Sequence, residues 1–185
     1  MLDRVAAPTP APGGGSASAM ASALAAGLVQ MAAGFGDAGL RDAGIRAAQL
    51  RERALELATG DLHSYEPVLV ALRLPAVDPD RQQRLARARS DASRTPLEIA
   101  ELAAEVAELG ARSAREGSTY LDGDATTAVL LAEASCRAAV RLVEINLAGA
   151  AGDGRLARAR ELALEAASAR EQTLAGQPGS GPSSQ

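Results

Sequence analysis

The chain has 185 residues, 47% of them apolar but only 2% aromatic, and all 19 of its basic residues are Arg. That length suits one domain with a sizeable core. The absence of Lys excludes Schiff-base and P-loop lysine chemistry. A net charge of −4 with almost no rings argues against a nucleic-acid partner.

Ala and Leu dominate the apolar fraction, and both lose little side-chain entropy in a helix. No alternating β-branched run competes with them. The fold class expected is therefore all-α: a single-domain antiparallel helical bundle with a central Ala-rich helix.

In chain order, residues 1–15 read as an extended Pro/Gly-rich entry, with Pro8, Pro10 and Pro12 ahead of Gly13, Gly14 and Gly15. Ser16 is a good N-cap, and a helix is predicted from there to about Ala33. Its larger side chains, Met20, Leu24, Leu28, Met31 and Phe35, recur at three- and four-residue spacing among Ala, Ser and Gly. No charge occurs between Val5 and Gly36, so a signal peptide or membrane span has to be weighed. The stretch lacks the dense Leu, Ile, Val and Phe of either. The expectation is a helix enclosed within the bundle and no membrane.

A second helix is predicted over Asp37 to Ala58, with Thr59-Gly60-Asp61 as its stop and Asp61 opening a third helix to Leu72. Asp78-Pro79 predicts a fourth helix to about Arg94. Thr95-Pro96-Leu97-Glu98 reads as a capping box that restarts the helix with a kink and carries it to about Leu109. After a loop at Glu116-Gly117-Ser118, Asp122 or Asp124 caps a helix that ends before Gly149. A charged, peripheral helix covers Gly154 to Leu174. The helical domain thus spans 16–175, and 176–185 is expected to be a disordered tail.

Three places could carry chemistry. Free N–H groups at a Gly-rich helix start attract anions, although the Gly13–Ser16 turn has neither P-loop nor dinucleotide-fingerprint spacing; it also reads as a tight structural connection. Asp124 reads either as a helix cap or, in a cleft, as a general acid or base. Asp61 reads most simply as an N-cap, and its neighbour His63 is the single histidine, so no zinc cluster is expected. Cys136 is the lone cysteine, which leaves no internal disulfide and suits a reducing, cytoplasmic setting.

Three segments resemble the cyclodeaminase/cyclohydrolase family, that of the C-terminal domain of formiminotransferase-cyclodeaminase and of stand-alone bacterial methenyltetrahydrofolate cyclohydrolases. They are Thr9-Pro10-Ala11-Pro12-Gly13-Gly14-Gly15-Ser16 with its Ala-rich helix; Asp61 to Pro75 with Thr95-Pro96-Leu97-Glu98-Ile99-Ala100; and Gly123-Asp124-Ala125 through to Ile145-Asn146-Leu147. They follow the family's order and spacing.

The resemblance implies a homodimeric helical bundle that takes a tetrahydrofolate derivative as substrate, with no covalently bound cofactor and no metal. It implies either hydrolysis of 5,10-methenyl-tetrahydrofolate to 10-formyl-tetrahydrofolate or cyclodeamination of 5-formimino-tetrahydrofolate. It further implies Asp124 and Asp61 as proton carriers and a pocket lined by Gly13, Gly14, Gly15, Ser16 and Asn146. The chain departs from the family pattern at Ser118 and Tyr120, at Gly123, and at Leu142 and Glu144. These departures imply an alternative, a catalytically inactive dimeric folate-binding or accessory protein.

Overall fold

The computed structural model describes residues 2–9 and 11–176. The expected tail, beyond Gly176, lies outside the described residues. Eight α-helices and no strands occur among those residues: α1 (Leu2–Val5), α2 (Gly14–Gly34), α3 (Arg41–Ser64), α4 (Glu66–Arg73), α5 (Arg81–Ala92), α6 (Arg94–Glu116), α7 (Asp122–Asn146) and α8 (Gly154–Ala175). The all-α bundle is as expected. The short α1 lies inside the entry that the prolines had suggested to be extended.

Cross-links give the helix directions. Ser16 meets Asp61 and Gln30 meets Arg51, so α2 and α3 are antiparallel. Ser22 meets Ser135, and Gly14 lies against Leu142, so α7 also runs against α2. Glu133 pairs with Arg170 and Glu144 with Arg160, which sets α8 antiparallel to α7. Ala-rich α6 shares the centre with α2, packing on α2, α3, α7 and α8.

Close approach replaces ring packing in this core. A Cβ on Gly110 of α6 would lie 2.9 Å from Val129 of α7. Between α2 and α7 the Ser135 hydroxyl donates to the Ser18 carbonyl at 2.6 Å, and the Ser22 and Ser135 hydroxyls lie 2.7 Å apart. Such short side chains let the backbones come together while every buried hydroxyl keeps a partner.

Three boundaries differ from the sequence reading. Helix α3 runs straight through Thr59-Gly60-Asp61 to Ser64, so Asp61 sits in its last turn and opens no helix. The Asp78 carboxylate accepts from the Asp80 N–H at 2.8 Å, a local turn that delays α5 to Arg81. The expected break before Pro96 is present at Ser93, between α5 and α6. No capping box forms there, and α6 extends to Glu116. Proline is tolerated because it occupies the first turn, where N–H groups lack intrahelical acceptors.

Helix α2 is enclosed on one side only. Its small residues, among them Ala19, Ala25, Ala26 and Val29, are buried, whereas Leu24 is 63% exposed and Phe35 73% exposed. Leu24 and Phe35 form an outward stripe with Met31, while Met20 and Leu28 are partly buried against the core. By length and composition α2 could cross a membrane, and half of its most apolar stretch is buried in the bundle.

Candidate functional site

The start of α2 has no cap of its own. Gly13 occupies the N-cap position and has no side chain to offer, and the expected cap Ser16 lies one turn inside the helix. The missing acceptor comes from α3. Asp61 Oδ2 accepts from the Ser16 N–H at 2.8 Å, and the Ser16 hydroxyl lies 3.0 Å from the Ala58 carbonyl and 3.1 Å from the same carboxylate oxygen. Ser64 donates to the Asp61 carbonyl at 3.0 Å and approaches its Oδ1 at 3.3 Å. Asp61 is thus the N-cap of a neighbouring helix.

This contact requires glycine at position 15. A Cβ there would sit 2.6 Å from the Asp61 carboxyl carbon. The N–H groups of Gly14 and Gly15, in the first turn of α2, have no acceptor within the helix.

Around this corner lies a cleft of about 210 Å³ lined by Gly13, Gly14, Gly15, Asp61, Ser64, Tyr65, Leu142 and Asn146, among others. Asn146 closes it from the last turn of α7, where its amide donates to the Ala92 carbonyl at 3.2 Å. The Gly turn, Asp61 and Asn146 therefore line one cleft, and Ser16 braces the turn from beneath. Ser64, Tyr65 and Leu142 are additional walls. Only the proximity of Ser64 and Tyr65 to Asp61 in the chain hinted at them. A larger depression of about 540 Å³ opens between the end of α2 and the start of α3. It contains none of the expected site residues and is shallow.

Asp124 is not in this cleft. It lies in the first turn of α7, 22 residues before Asn146, hence about 33 Å away along the helix axis. It is half-buried and makes no hydrogen bond or ion pair among the described residues. His63 is exposed in the last turn of α3. No group of three or more His, Cys, Asp or Glu side chains suited to a metal ion occurs among the described residues. Burial, reinforced by Glu133 and Glu165, pushes the Cys136 thiol up to about 12, so it is a packing group and no nucleophile.

The chain is thus an all-helical bundle whose Gly-rich helix start is capped from a neighbouring helix. The family model described as formiminotransferase-cyclodeaminase matches residues 1–165, and the chain belongs to that family. Among solved structures, the formiminotetrahydrofolate cyclodeaminase of Thermotoga maritima superposes with a TM-score of 0.83 at 21% identity, covering 93% of this chain and 90% of the other. That likeness establishes the shared fold. No curated protein matches by sequence.

Proposed function

We propose that the protein is a folate one-carbon enzyme that interconverts tetrahydrofolate derivatives at the Gly13–Ser16 cleft. The reaction is hydrolysis of 5,10-methenyl-tetrahydrofolate to 10-formyl-tetrahydrofolate or cyclodeamination of 5-formimino-tetrahydrofolate, and the first is the one tested below. The observation that carries the reading is the convergence of the Gly turn, Asp61 and Asn146 on one cleft in a chain of this family.

The chemistry asked of the protein is positioning and proton movement. Water adds to the cationic methenyl carbon and gives up a proton; N5 then takes a proton and leaves as the carbinol hydroxyl loses its own, so one proton is released to solvent overall. A carboxylate can accept the first proton and deliver it to N5. The N–H groups of Gly14 and Gly15, both lining the cleft, suit a developing oxyanion. Asp61 already has three donors around its carboxylate, which suits it to hold the turn and orient the substrate.

We assign the proton transfer to Asp124, supplied by a second copy of the chain. Leu24, Met31 and Phe35 of α2 are exposed, as are Leu130 and Ile145 of α7, which packs on α2. Pairing two copies across a twofold axis near the middle of α2 covers this uncharged stripe. Because α7 is antiparallel to α2, the same rotation carries the partner's start of α7 to the Gly turn. The homodimer thereby unites groups that one chain holds apart.

The test is optical. The purified protein should accelerate loss of the methenyl-tetrahydrofolate absorbance, and Asp124→Asn should abolish the acceleration. If decay matches buffer while the folate still raises the melting temperature, the protein binds folate without this reaction. Neither effect would remove folate from the assignment.

A further inference from the structure

A second cleft, of about 250 Å³, adjoins the first and shares Asn146 as its wall. Gln82, Leu85, Ala86, Arg89 and Ser90 of α5 form one side; the loop from Leu147 to Ala150, with Asp153, forms the other. The loop is shaped by Gly149, whose φ of 95° lies in the left-handed region that glycine adopts readily. The Asn146–Ala92 hydrogen bond fixes the shared wall, because it ties the end of α7 to the end of α5.

The charges of the two clefts are complementary. The Gly-turn cleft contains a carboxylate, Asp61, and no cation. The second contains Arg89 and Asp153. Asp153 is fully engaged: its Oδ1 accepts from the N–H and Nε of Arg155 at 2.9 and 3.0 Å, and its Oδ2 from Nη2 at 2.7 Å. The remaining Arg155 donors go to the Ser90 carbonyl and to the Ser90 and Ser93 hydroxyls, each at 2.7 Å. That pair is internally neutral and satisfied. The side chain of Arg89, half-buried beside it, makes no hydrogen bond or ion pair among the described residues and leaves the cleft with one uncompensated positive charge.

A guanidinium in that position is a ready bidentate partner for a carboxylate. We infer that Arg89 receives a terminal carboxylate of the ligand whose reactive ring occupies the Gly-turn cleft, with the ligand lying across Asn146. This inference rests on the folate reading. It deepens it by naming the substrate class: a tetrahydrofolate carrying its glutamyl tail, with the ring at the uncharged Gly14 and Gly15 amides and the tail at the cation.

The experiment measures binding of 5-formyl-tetrahydrofolate and of its pteroate analogue, which lacks the glutamyl group, to the full chain by calorimetry. The native protein should bind the glutamyl compound more tightly, by about 10- to 100-fold for a charge-assisted contact. Arg89→Gln should collapse that ratio toward one, and Arg89→Lys should restore part of it. Because Arg89 has no internal partner to lose, melting of the ligand-free variant should match that of the native chain, which separates loss of binding from loss of fold. Equal native affinity for both compounds, or a ratio unchanged in Arg89→Gln, overturns the tail site and leaves the folate reading intact. Competition by inorganic phosphate without any tail dependence would also overturn it, making the cleft a simple anion site. If neither compound binds the native protein, the folate reading fails and this inference with it.

Discussion

Asp61 shows how much one residue decides at the Gly turn. Ser16 N–H, Ser16 hydroxyl and Gly15 Cα all close on its carboxylate, so Gly15→Ala must either rotate that carboxylate away or shift α2. We expect Gly15→Ala to cost about 1–3 kcal/mol through crowding and lost hydrogen bonds. Urea unfolding checks this, together with a cycle against Asp61→Ala. Much of the Gly15→Ala penalty should vanish once the carboxylate is gone, because the two residues share one contact.

Asp153 makes a second prediction. Its hydrogen bonds from Arg155 hold its carboxyl down at about 2. A folded-state value below the unfolded one gives stability that is present above the ordinary carboxylate range and is lost as pH falls toward 2. Thermal melts of Asp153→Asn between pH 5 and pH 2 should therefore lose less stability with acidification than those of the native protein.

The sequence marked both aspartates next to glycines as functional or capping, but it could not say which helix an aspartate caps. Capping patterns are local, whereas Asp61 acts across 45 residues of chain. Arg89 was likewise illegible: it sits in a run of alternating Arg and Ala, and only the fold shows that its neighbours are already paired.

At the scale of elements, the helices were legible from composition and periodicity, and their ends less so. Gly60 read as a stop because glycine disfavours helix interiors. Helix α3 passes through it, since Ala54, Leu57 and Ala58 before it are buried against the core and Asp61 after it is held by α2. Tertiary contacts thus outweigh one unfavourable propensity. Gly60 is exposed, and a Cβ there would meet nothing within 4 Å. Gly60→Ala should therefore stabilise the protein by about 0.5–1 kcal/mol, by favouring helix and restricting the unfolded chain. A rise in the denaturation midpoint with an unchanged slope against denaturant is the expected result. The Ser93 break was readable for the opposite reason: Pro96 has no N–H to offer the Ala92 carbonyl and its ring crowds that carbonyl, whatever packs around it.

At the scale of the whole molecule, α2 has two faces with different tasks. Its Ala and Ser face settles against α3, α6 and α7, and Leu24, Met31 and Phe35 point outward. A one-dimensional pattern shows both as apolar, which is why the outward stripe resembled a core stripe. If that stripe seats a second copy, then each complete site combines Asp61 of one chain with Asp124 of the other. Mixing distinguishes this arrangement from sites built within one chain. Asp61→Asn and Asp124→Asn should each be nearly inactive alone, the asparagine at 61 still being able to accept from Ser16.

Co-refolding equal amounts of the two variants should make half of the dimers hybrid. In each hybrid one site carries both substitutions and the other carries neither, so about one quarter of native activity should return, given twofold symmetry and random pairing. If both aspartates served a site from the same chain, every site in the mixture would keep one defect and activity would stay at the level of the separate variants. Leu24→Arg, which places a charge in the exposed stripe, should give a monomer by sedimentation and prevent the recovery. Native-like activity in that monomer would show that α2 needs no partner for catalysis.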